Sequence, residues 1–225
     1  MWPQQYGTKV YNHTEVQRCL AGQWVHMDGD SLTRDQFYDT IDYLDVQPPC
    51  SRLKLHTDQT RRIPSLSLLV THGFMNPAHN RPCDPPAWAN LTGSPSRVPD
   101  VWVWSAGLWF FEASETIDTF RKRVECVAAS KPAGTLGILR TTTPYAPKIN
   151  DRSTCGRDCK EARNVLHGEQ NSVAIEVLGG HGWLVLDAWN ILWPRRFELT
   201  VEGIHYTGPG SKWVTNELMR MVCGL

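Results

Sequence analysis

Apolar residues in this chain are concentrated in short continuous runs, and segments of helical periodicity lie between them. Continuous apolar runs are typical of parallel strands that are buried on both faces. Strands that alternate with helices form sheets covered by helices on each side. The sequence therefore predicts a three-layer α/β domain with a five-stranded, mostly parallel, flavodoxin-like sheet. The predicted strands are Trp24–Met27, Leu66–Val70, Asp100–Ser105, Thr135–Thr141 and Trp183–Asp187.

Helical periodicity follows the first strand, because Phe37, Ile41 and Leu44 recur on one face of a helix that begins near Ser31. The whole chain, 1–225, is expected to be a single domain. Further helices are predicted after Ser114, over Arg157–His167, over Ser172–Leu178 and from Ser211. The remaining segments are expected to be irregular: an N-terminal extension (1–23), the loop Gln47–Pro64, a long loop (76–99) and the link Trp193–Thr200.

Charge and hydropathy narrow the class of function. The chain has 225 residues, 41% of them hydrophobic, and 23 basic residues balance 23 acidic ones. A balanced charge gives no field for nucleic acid or for an anionic membrane. The sequence shows no signal peptide and no apolar run long enough for a transmembrane helix, so we expect a soluble piece of a longer, targeted protein. Ten tryptophans are a high count, and exposed aromatic rings are one means of stacking against sugars.

The cysteines favour an oxidising compartment. Seven cysteines are many for a cytosolic chain of this length, and only Cys155 and Cys159 are spaced closely enough to suggest metal ligation. No second pair follows, so we expect disulfide bonds, one cysteine left over and no metal site. The tripeptides that begin at Asn12 and Asn90 are N-glycosylation sequons. Together these features favour the secretory-pathway lumen (Golgi) or the extracellular space.

The turn between the first strand and the first helix carries the first candidate chemistry. Asp28-Gly29-Asp30-Ser31 forms this turn, and open α/β sheets expose such a residue at the carboxyl end of the strand. Ser31 lies near the helix N-terminus, where free N–H groups and the helix dipole favour negative charge. Two interpretations stay open. Ser31 is a nucleophile whose own N–H helps to hold an oxyanion, or it is only the helix N-cap.

Three loops are expected to meet at the carboxyl edge of the sheet, and each carries a group suited to acyl transfer. They hold Ser31, Gly107, and Glu202 with His205. Ser31 is the candidate nucleophile, His205 the base, and Glu202 the carboxylate that orients the imidazole. The N–H groups of Ser31 and Gly107 are the candidate oxyanion donors. Asp187, at the end of the fifth strand, is an alternative carboxylate for His205, although a structural role is favoured.

The order of these motifs resembles that of a known family over nearly the whole chain. The tripeptide Gly29–Ser31, followed by Arg34, resembles the GDS block of the SGNH/GDSL esterases. The segments Cys19–Val25, Pro99–Trp109 and Glu202–Tyr206 resemble further blocks of its PC-esterase branch. That branch includes the trichome-birefringence-like polysaccharide O-acetyltransferases, the luminal domain of sialic-acid O-acetyltransferase and the C-terminal domain of the NXPE proteins. The resemblance implies an SGNH-like fold.

Two positions depart from the family pattern. Glu202 stands where the family normally has aspartate, and Ser105 stands where an asparagine often precedes the glycine of the second block. The sequence also offers no counterpart of the separate asparagine that donates to the oxyanion in other SGNH enzymes. Since the loss of one donor can cost about 3 kcal/mol of transition-state stabilisation, a slowed or inactive homologue is a second interpretation.

The resemblance implies serine-dependent transfer of an O-acyl group, expected to be acetyl, on glycans through an acyl-serine intermediate. Arg34 and Trp109 are the implied substrate contacts, and pairing of Arg34 with Asp30 or Asp28 is the alternative. No bound cofactor is expected. Acetyl-CoA or an acetylated glycan would donate the acyl group, and fusion to or cooperation with a membrane-embedded acyl-donor protein is compatible with the resemblance. The other functions left open are a carbohydrate O-acetylesterase and a catalytically degenerate glycan-binding module.

Overall fold

A computed structural model of the chain describes residues 11–44, 57–75, 91–92, 97–108, 116–146, 157–200, 203–206 and 208–224. Six strands cross the middle of the described molecule. They are β1 (Trp24–Gly29), β2 (Gln59–Ile63), β3 (Leu68–Phe74), β4 (Val101–Trp104), β5 (Leu136–Arg140) and β6 (Leu184–Leu186). They form one sheet in the order β2-β3-β1-β4-β5-β6.

The parallel strands confirm the predicted topology. β1 pairs in parallel with β3 and β4, and β5 pairs in parallel with β4 and β6. Numbered along the chain, these parallel strands have the spatial order 2-1-3-4-5, which is the flavodoxin-like arrangement. The strand order reverses between β1 and β4. In open α/β sheets this switch point is where a ligand crevice forms, beyond the carboxyl ends of the strands.

The sixth strand, β2, lies in the segment Gln47–Pro64 that was predicted as a loop. It pairs antiparallel with β3 at the edge of the sheet. Thr60 and Arg62 are exposed, whereas Ile63 is buried. An antiparallel edge strand needs only one covered face. β2 alternates in exposure, but its first four residues are all polar, so it lacks the continuous apolar run used to find the other strands.

Helices cover both faces of the sheet, which confirms the three-layer prediction. The helices are α1 (His13–Leu20), α2 (Ser31–Tyr43), α3 (Ile117–Ser130), α4 (Arg157–Gly180), α5 (Ala188–Leu192), α6 (Arg196–Leu199) and α7 (Pro209–Cys223). α1, α2 and α7 bury mostly aliphatic and aromatic side chains against one face. α3 and α4 pack on the other face around Trp102, Trp104 and Trp183. Because successive strand residues point to opposite faces, the central strands contribute to both cores.

The segment predicted as an N-terminal extension contains α1. Asn12 caps this helix through a capping box, in which the side chains of Asn12 and Glu15 each accept a hydrogen bond from the other residue's backbone N–H. Val16 and Leu20 are fully buried. Eight residues are too few for a clear periodicity, so the capping box was the signal available in the sequence. Asn12 is exposed and its glycosylation stays a prediction, while Asn90 lies outside the described residues.

Two helical regions differ from their predicted bounds. The helices predicted over Arg157–His167 and Ser172–Leu178 form one continuous helix, α4. Its middle is tied to the sheet by Asn171, whose side chain accepts a hydrogen bond from the Thr142 N–H and donates one to the Thr142 carbonyl. The predicted link Trp193–Thr200 is a 3₁₀ turn followed by α6. Proline is tolerated there because the first turn of a helix does not use its N–H groups.

Disulfide bonds are present, as the cysteine pattern predicts. Cys19 in α1 is bonded to Cys223 at the end of α7, so the first and last described helices are joined. Cys126 and Cys159 are also in disulfide bonds. None of the helices in the described ranges has the length and hydropathy needed to cross a membrane.

Candidate active site

The turn between β1 and α2 presents Ser31 without using it as the helix cap. Asp30 is the N-cap, since its Oδ1 accepts a hydrogen bond from the Leu32 N–H at 2.9 Å. The alternative interpretation of Ser31 as the cap is therefore wrong, and Ser31 is the first residue of α2. A Cβ atom on Gly29 would lie 2.2 Å from Oγ1 of Thr33. The tight turn thus requires glycine at that position.

The Asp30 carboxylate also joins this turn to the loop after β4. Its Oδ2 accepts a hydrogen bond from the Leu108 N–H at 2.6 Å. Burial raises the pKa of Asp30, while the two N–H donors and the nearby Arg140 oppose that rise. One buried carboxylate therefore fixes the loop that holds Ser31 against the loop that holds Gly107.

Gly107 occupies a position that no other residue would fit. Its φ is +68°, in the left-handed region that favours glycine, and a Cβ atom there would lie 2.5 Å from Cγ of Asp30. The Gly107 N–H lies 3.4 Å from Oγ of Ser105, and its carbonyl accepts a hydrogen bond from the Thr142 hydroxyl at 3.2 Å. The first two loops meet as expected, and the role of Gly107 as an oxyanion donor stays a prediction.

The third loop brings His205 to Ser31. Nε2 of His205 lies 3.4 Å from Oγ of Ser31, and Nδ1 lies 2.5 Å from Oδ2 of Asp35. Because an ionised carboxylate can only accept hydrogen bonds, Nδ1 carries the proton and Nε2 presents a lone pair to the serine hydroxyl. The imidazole therefore connects a carboxylate to a hydroxyl in the order that nucleophilic catalysis requires.

Backbone contacts hold this loop in place on both sides of His205. Thr200 and Tyr206 form an antiparallel bridge, and the Thr200 hydroxyl donates to the His205 carbonyl at 2.8 Å. The Tyr206 hydroxyl donates to the carbonyl of Pro144 at 2.7 Å. These bonds anchor the backbone from which the imidazole reaches the first turn of α2.

The carboxylate beside His205 comes from the helix that Ser31 begins. Asp35 lies one turn after Ser31 on α2, and residues at this spacing share one face of a helix. Burial disfavours the ionised form of Asp35. The hydrogen bond with His205, the charge of His205 and the guanidinium of Arg34 outweigh burial, so the pKa of Asp35 lies below its ordinary value. Sequence reasoning missed Asp35. The available signal was an acidic residue one helical turn after the candidate nucleophile.

Asp187 is the other predicted carboxylate that the structure describes, and it has a different role. Glu202 lies outside the described residues, as does Trp109. The place predicted for Glu202, next to Nδ1 of His205, is occupied by Asp35. Asp187 caps α5 instead, since its Oδ1 accepts a hydrogen bond from a backbone N–H of that helix at 3.1 Å. This is the structural role that the sequence favoured.

The remaining predicted site residue, Arg34, has a buried side chain. Its Nη2 lies 3.5 Å from Oδ1 of Asp35, so the guanidinium supports the carboxylate that holds His205. Contact of Arg34 with substrate stays a prediction. Within the described ranges, no three His, Cys, Asp or Glu side chains are grouped so that they could hold a metal ion.

No protein-family model matches the sequence, and no curated protein matches it. Several solved structures match the fold. A lipase/acylhydrolase from Enterococcus faecalis aligns with a TM-score of 0.58 and 17% identity, over 90% of this chain and 96% of its own. LAE5, an α/β hydrolase enzyme from the metagenome of Lake Arreo, Spain, aligns with a TM-score of 0.56 and 16% identity, over 91% and 96%. Axe2, an acetylxylan esterase from Geobacillus stearothermophilus, gives a TM-score of 0.53 and 12% identity, over 92% and 97%.

These similarities establish the fold. The alignments cover almost the full length of both chains, so the sheet and its flanking helices share one architecture. This chain has the α/β fold of these acylhydrolases and esterases. At such low identity, the assignment of individual residues depends on the geometry around Ser31 and His205.

Proposed function

We propose that this chain is an SGNH-type enzyme of O-acyl transfer, with Ser31 as nucleophile, His205 as general base and Asp35 as the orienting carboxylate. The observation that carries the proposal is the bridge made by His205, whose two ring nitrogens contact Ser31 and Asp35. A hydroxyl, an imidazole and a carboxylate in this order are the parts of a catalytic triad. The shared fold with acylhydrolases and esterases supports the same class of reaction.

In the first step, Nε2 of His205 takes the proton from the Ser31 hydroxyl while Oγ attacks the carbonyl carbon of the acyl donor. Asp35 stabilises the imidazolium that forms, because it accepts the Nδ1–H hydrogen bond. The 3.4 Å separation between Nε2 and Oγ is longer than a strong hydrogen bond. Catalytic pairs often have such distances before substrate binds and shorten in the complex.

Negative charge then develops on the acyl oxygen, next to the N-terminus of α2. The first N–H groups of a helix have no intrahelical partner, and the helix dipole favours an anion there. We assign the N–H groups of Ser31 and Gly107 as the donors, because Asp30 holds both loops together. The Gly107 N–H would exchange its long 3.4 Å hydrogen bond to Oγ of Ser105 for the oxyanion. Loss of one such donor is expected to cost about 3 kcal/mol of transition-state stabilisation.

To complete acylation, His205 donates its Nε2 proton to the leaving group, which is the sugar oxygen of an acetylated glycan or the thiol sulfur of CoA, and an acyl-serine ester remains. Water or a sugar hydroxyl attacks this ester while His205 again takes a proton. The bond to Oγ of Ser31 breaks, and Oγ recovers its proton from His205. Attack by water gives hydrolysis, and attack by a sugar hydroxyl gives transfer.

The proposed substrate is an O-acetylated glycan, or a glycan that receives acetyl. Two observations support this class: the order of sequence motifs resembles the PC-esterase branch, and one solved structure with the same fold is an acetylxylan esterase. Disulfide bonds favour the secretory-pathway lumen (Golgi) or the extracellular space. Within this proposal the acyl donor is acetyl-CoA or an acetylated glycan, supplied with or without a membrane-embedded partner, and no bound cofactor takes part.

The direct test is intact-mass analysis of the protein mixed with 4-nitrophenyl acetate. The parent should gain one acetyl group. Ser31→Ala should gain none and should lose at least about 10³-fold in kcat/KM. Ser172→Ala, which removes an exposed hydroxyl on α4, is the matched control and should behave as the parent. Acetylation and turnover that persist in Ser31→Ala would exclude Ser31 as the nucleophile.

Sugar oligomers added to the acetylated protein separate the two acceptors. Acetylated oligomers in the product mixture indicate a transferase, and release of acetate alone indicates an esterase. A parent protein that reacts with neither 4-nitrophenyl acetate nor a fluorophosphonate, yet binds the oligomers, would support the degenerate glycan-binding module instead.

A further inference from the structure

Arg140 is a buried cation at the carboxyl end of β5. It is 5% exposed, and its Nε and Nη1 have no hydrogen-bond partner in the described structure. Along β5, Ile138 belongs to the core shared with α2 and α7, and Leu139 belongs to the opposite core. The alternation of a strand therefore turns Arg140 toward α2 and α7, where Asp35 lies.

Three carboxylates from the α2 region act on this guanidinium. Burial lowers the pKa of Arg140, and the charges of Asp30, Asp35 and Asp39 oppose that fall. A guanidinium stays protonated at every pH at which proteins fold. Arg140 is therefore a permanent positive charge in a cluster that includes the proposed triad carboxylate.

Arg140, Asp35 and Asp39 line one small cavity of about 20 Å³, together with Gln36 and Tyr206. This volume admits one water molecule and no larger ligand. The two carboxylates would also repel an anion. The cavity therefore argues against an anion-binding role for Arg140 and in favour of an internal counter-charge.

We propose that Arg140 is a positioning residue for the triad, because its permanent charge behind Asp35 keeps that carboxylate ionised and keeps the His205 ring available as a base. This inference rests on the proposed function of Ser31, His205 and Asp35. Arg140 acts through Asp35, with which it lines the cavity.

The direction of the effect follows from the charges around Asp35 and His205. Arg34 contributes positive charge directly beside Asp35. Arg140 adds a second positive charge that interacts with Asp30, Asp35 and Asp39, and Asp30 in turn contributes negative charge near His205. Without Arg140, the weaker positive potential favours proton binding by both Asp35 and His205. The triad is active only when Asp35 is ionised and the His205 ring is neutral. Because both pKa values rise without Arg140, the acid limb of activity moves to higher pH.

The test compares Arg140→Met, which removes the charge, with Arg140→Lys, which keeps it. NMR titration of the His205 ring, assigned with a His205→Gln variant, should shift upward by about 0.5–1 pH unit in Arg140→Met and by less than about 0.2 in Arg140→Lys. The acid limb of kcat/KM should move in the same way. Arg121→Met, which removes an exposed arginine paired with Glu176, is the control for net charge and should leave both measurements unchanged.

An unshifted His205 titration in Arg140→Met would overturn the inference, and so would an equal shift in Arg140→Lys. Arg140→Met leaves three carboxylates without this counter-charge, so its folding is checked by circular dichroism. If it does not fold, the double variant Asp39→Asn/Arg140→Met preserves the net charge and is compared with Asp39→Asn alone. The same upward shift is expected in that pair, and its absence overturns the inference.

The two proposals can fail separately. The His205 titration needs no turnover, so it tests Arg140 whether or not Ser31 takes up an acetyl group. An unshifted titration in a protein that is acetylated on Ser31 would remove only the role of Arg140. A shifted titration without acetylation would instead leave a charge-coupled His205 and remove the proposed function.

Discussion

The same three kinds of group, a carboxylate, an imidazole and a hydroxyl, are connected in two places in the part of the chain that the structure describes. One set surrounds Ser31. The other set is formed by side chains of the neighbouring strands β1 and β3. There, Nε2 of His26 is 2.9 Å from Oδ1 of Asp28, and Nδ1 of His26 is 2.7 Å from Oγ1 of Thr71. Each imidazole donates to a carboxylate through one ring nitrogen and faces a hydroxyl with the other. The two sets therefore contain the same types of group, joined in the same order.

Their surroundings differ. His26 is 1% exposed and Thr71 is 0% exposed, and the Thr71 hydroxyl also accepts a hydrogen bond from Nε1 of Trp24 at 2.8 Å. The His205 side chain is 23% exposed, and Ser31 is 7% exposed and begins a helix. Among the described residues, the imidazole and the hydroxyl of the internal set are thus closed to a substrate, and neither lies at the first turn of a helix. Access and available N–H donors, more than composition, distinguish a candidate active site from a buried polar network.

The largest expected difference is between two asparagine substitutions. Asp35→Asn removes the acceptor for the Nδ1–H of His205 and disturbs its tautomer, so kcat/KM should fall about 10³- to 10⁴-fold. Asp28→Asn weakens the buried contact with His26 and should lower the free energy of unfolding by about 1–3 kcal/mol, with little change in kcat/KM. Aryl-acetate kinetics and urea denaturation measure both effects. Equal losses of activity in the two variants would contradict the distinction.

A smaller effect is expected from the hydroxyl of the internal set. Thr71→Val leaves Nε1 of Trp24 and Nδ1 of His26 without that partner, so the free energy of unfolding should fall by about 1–3 kcal/mol. The rate at which a fluorophosphonate labels Ser31 should match the parent. Thr60→Val, at an exposed position on β2, is the control and should change neither quantity. Slower labelling in a Thr71→Val protein of unchanged stability would show that the two sets are coupled.

The smallest effect concerns a histidine that serves neither set. Burial lowers the pKa of His72 from 6.5 to about 3, between the rings of Phe37 and Phe74. Below pH 6.5 the unfolded chain binds a proton at His72, whereas the native protein keeps His72 neutral down to about pH 3. The contribution of neutral His72 to the free energy of unfolding is therefore fully present above pH 6.5 and is lost as the pH falls toward 3. Between pH 6.5 and 5.5 the loss should be about 1 kcal/mol.

His72→Phe should remove the part of the pH dependence that His72 contributes, while the part due to His167 remains. It should leave the acid limb of activity, which the proposed mechanism assigns to His205 and Asp35, at its original pH. Urea denaturation at several pH values between 5.5 and 7 measures the slope in the parent and in the variant. A slope of undiminished size in the variant would assign the pH dependence to other groups, of which His167 is the next buried histidine, with its pKa lowered to about 4.

The elements that the sequence predicted well are those with a strong local pattern. Apolar runs such as Val101–Trp104 can be buried on both faces only as central strands, and alternation with helices then restricts the topology. The missed elements have weak local patterns. β2 consists of four polar residues before Ile63 at an edge, and α1 is short and marked mainly by the capping box of Asn12 and Glu15.

The candidate site divides in the same way. Ser31, Gly107 and His205 follow turns or motifs whose local requirements are visible in the sequence. Asp35 was missed because the carboxylate was sought in the loop of His205, and Arg140 was missed because a charged residue at a strand end has no meaning until its neighbours are known. Contacts between residues distant in sequence decide both roles.

By itself, the sequence determined the strand–turn–helix presentation of Ser31, the flavodoxin-like order of the parallel strands and the convergence of three loops. Each depends on periodicity or turn chemistry within a few neighbouring residues. Only the tertiary structure decided which carboxylate meets His205 and which cation lies behind it. Several aspartates and a glutamate were chemically suitable, and in the described part of the chain packing brings Asp35 within hydrogen-bond distance of Nδ1 of His205.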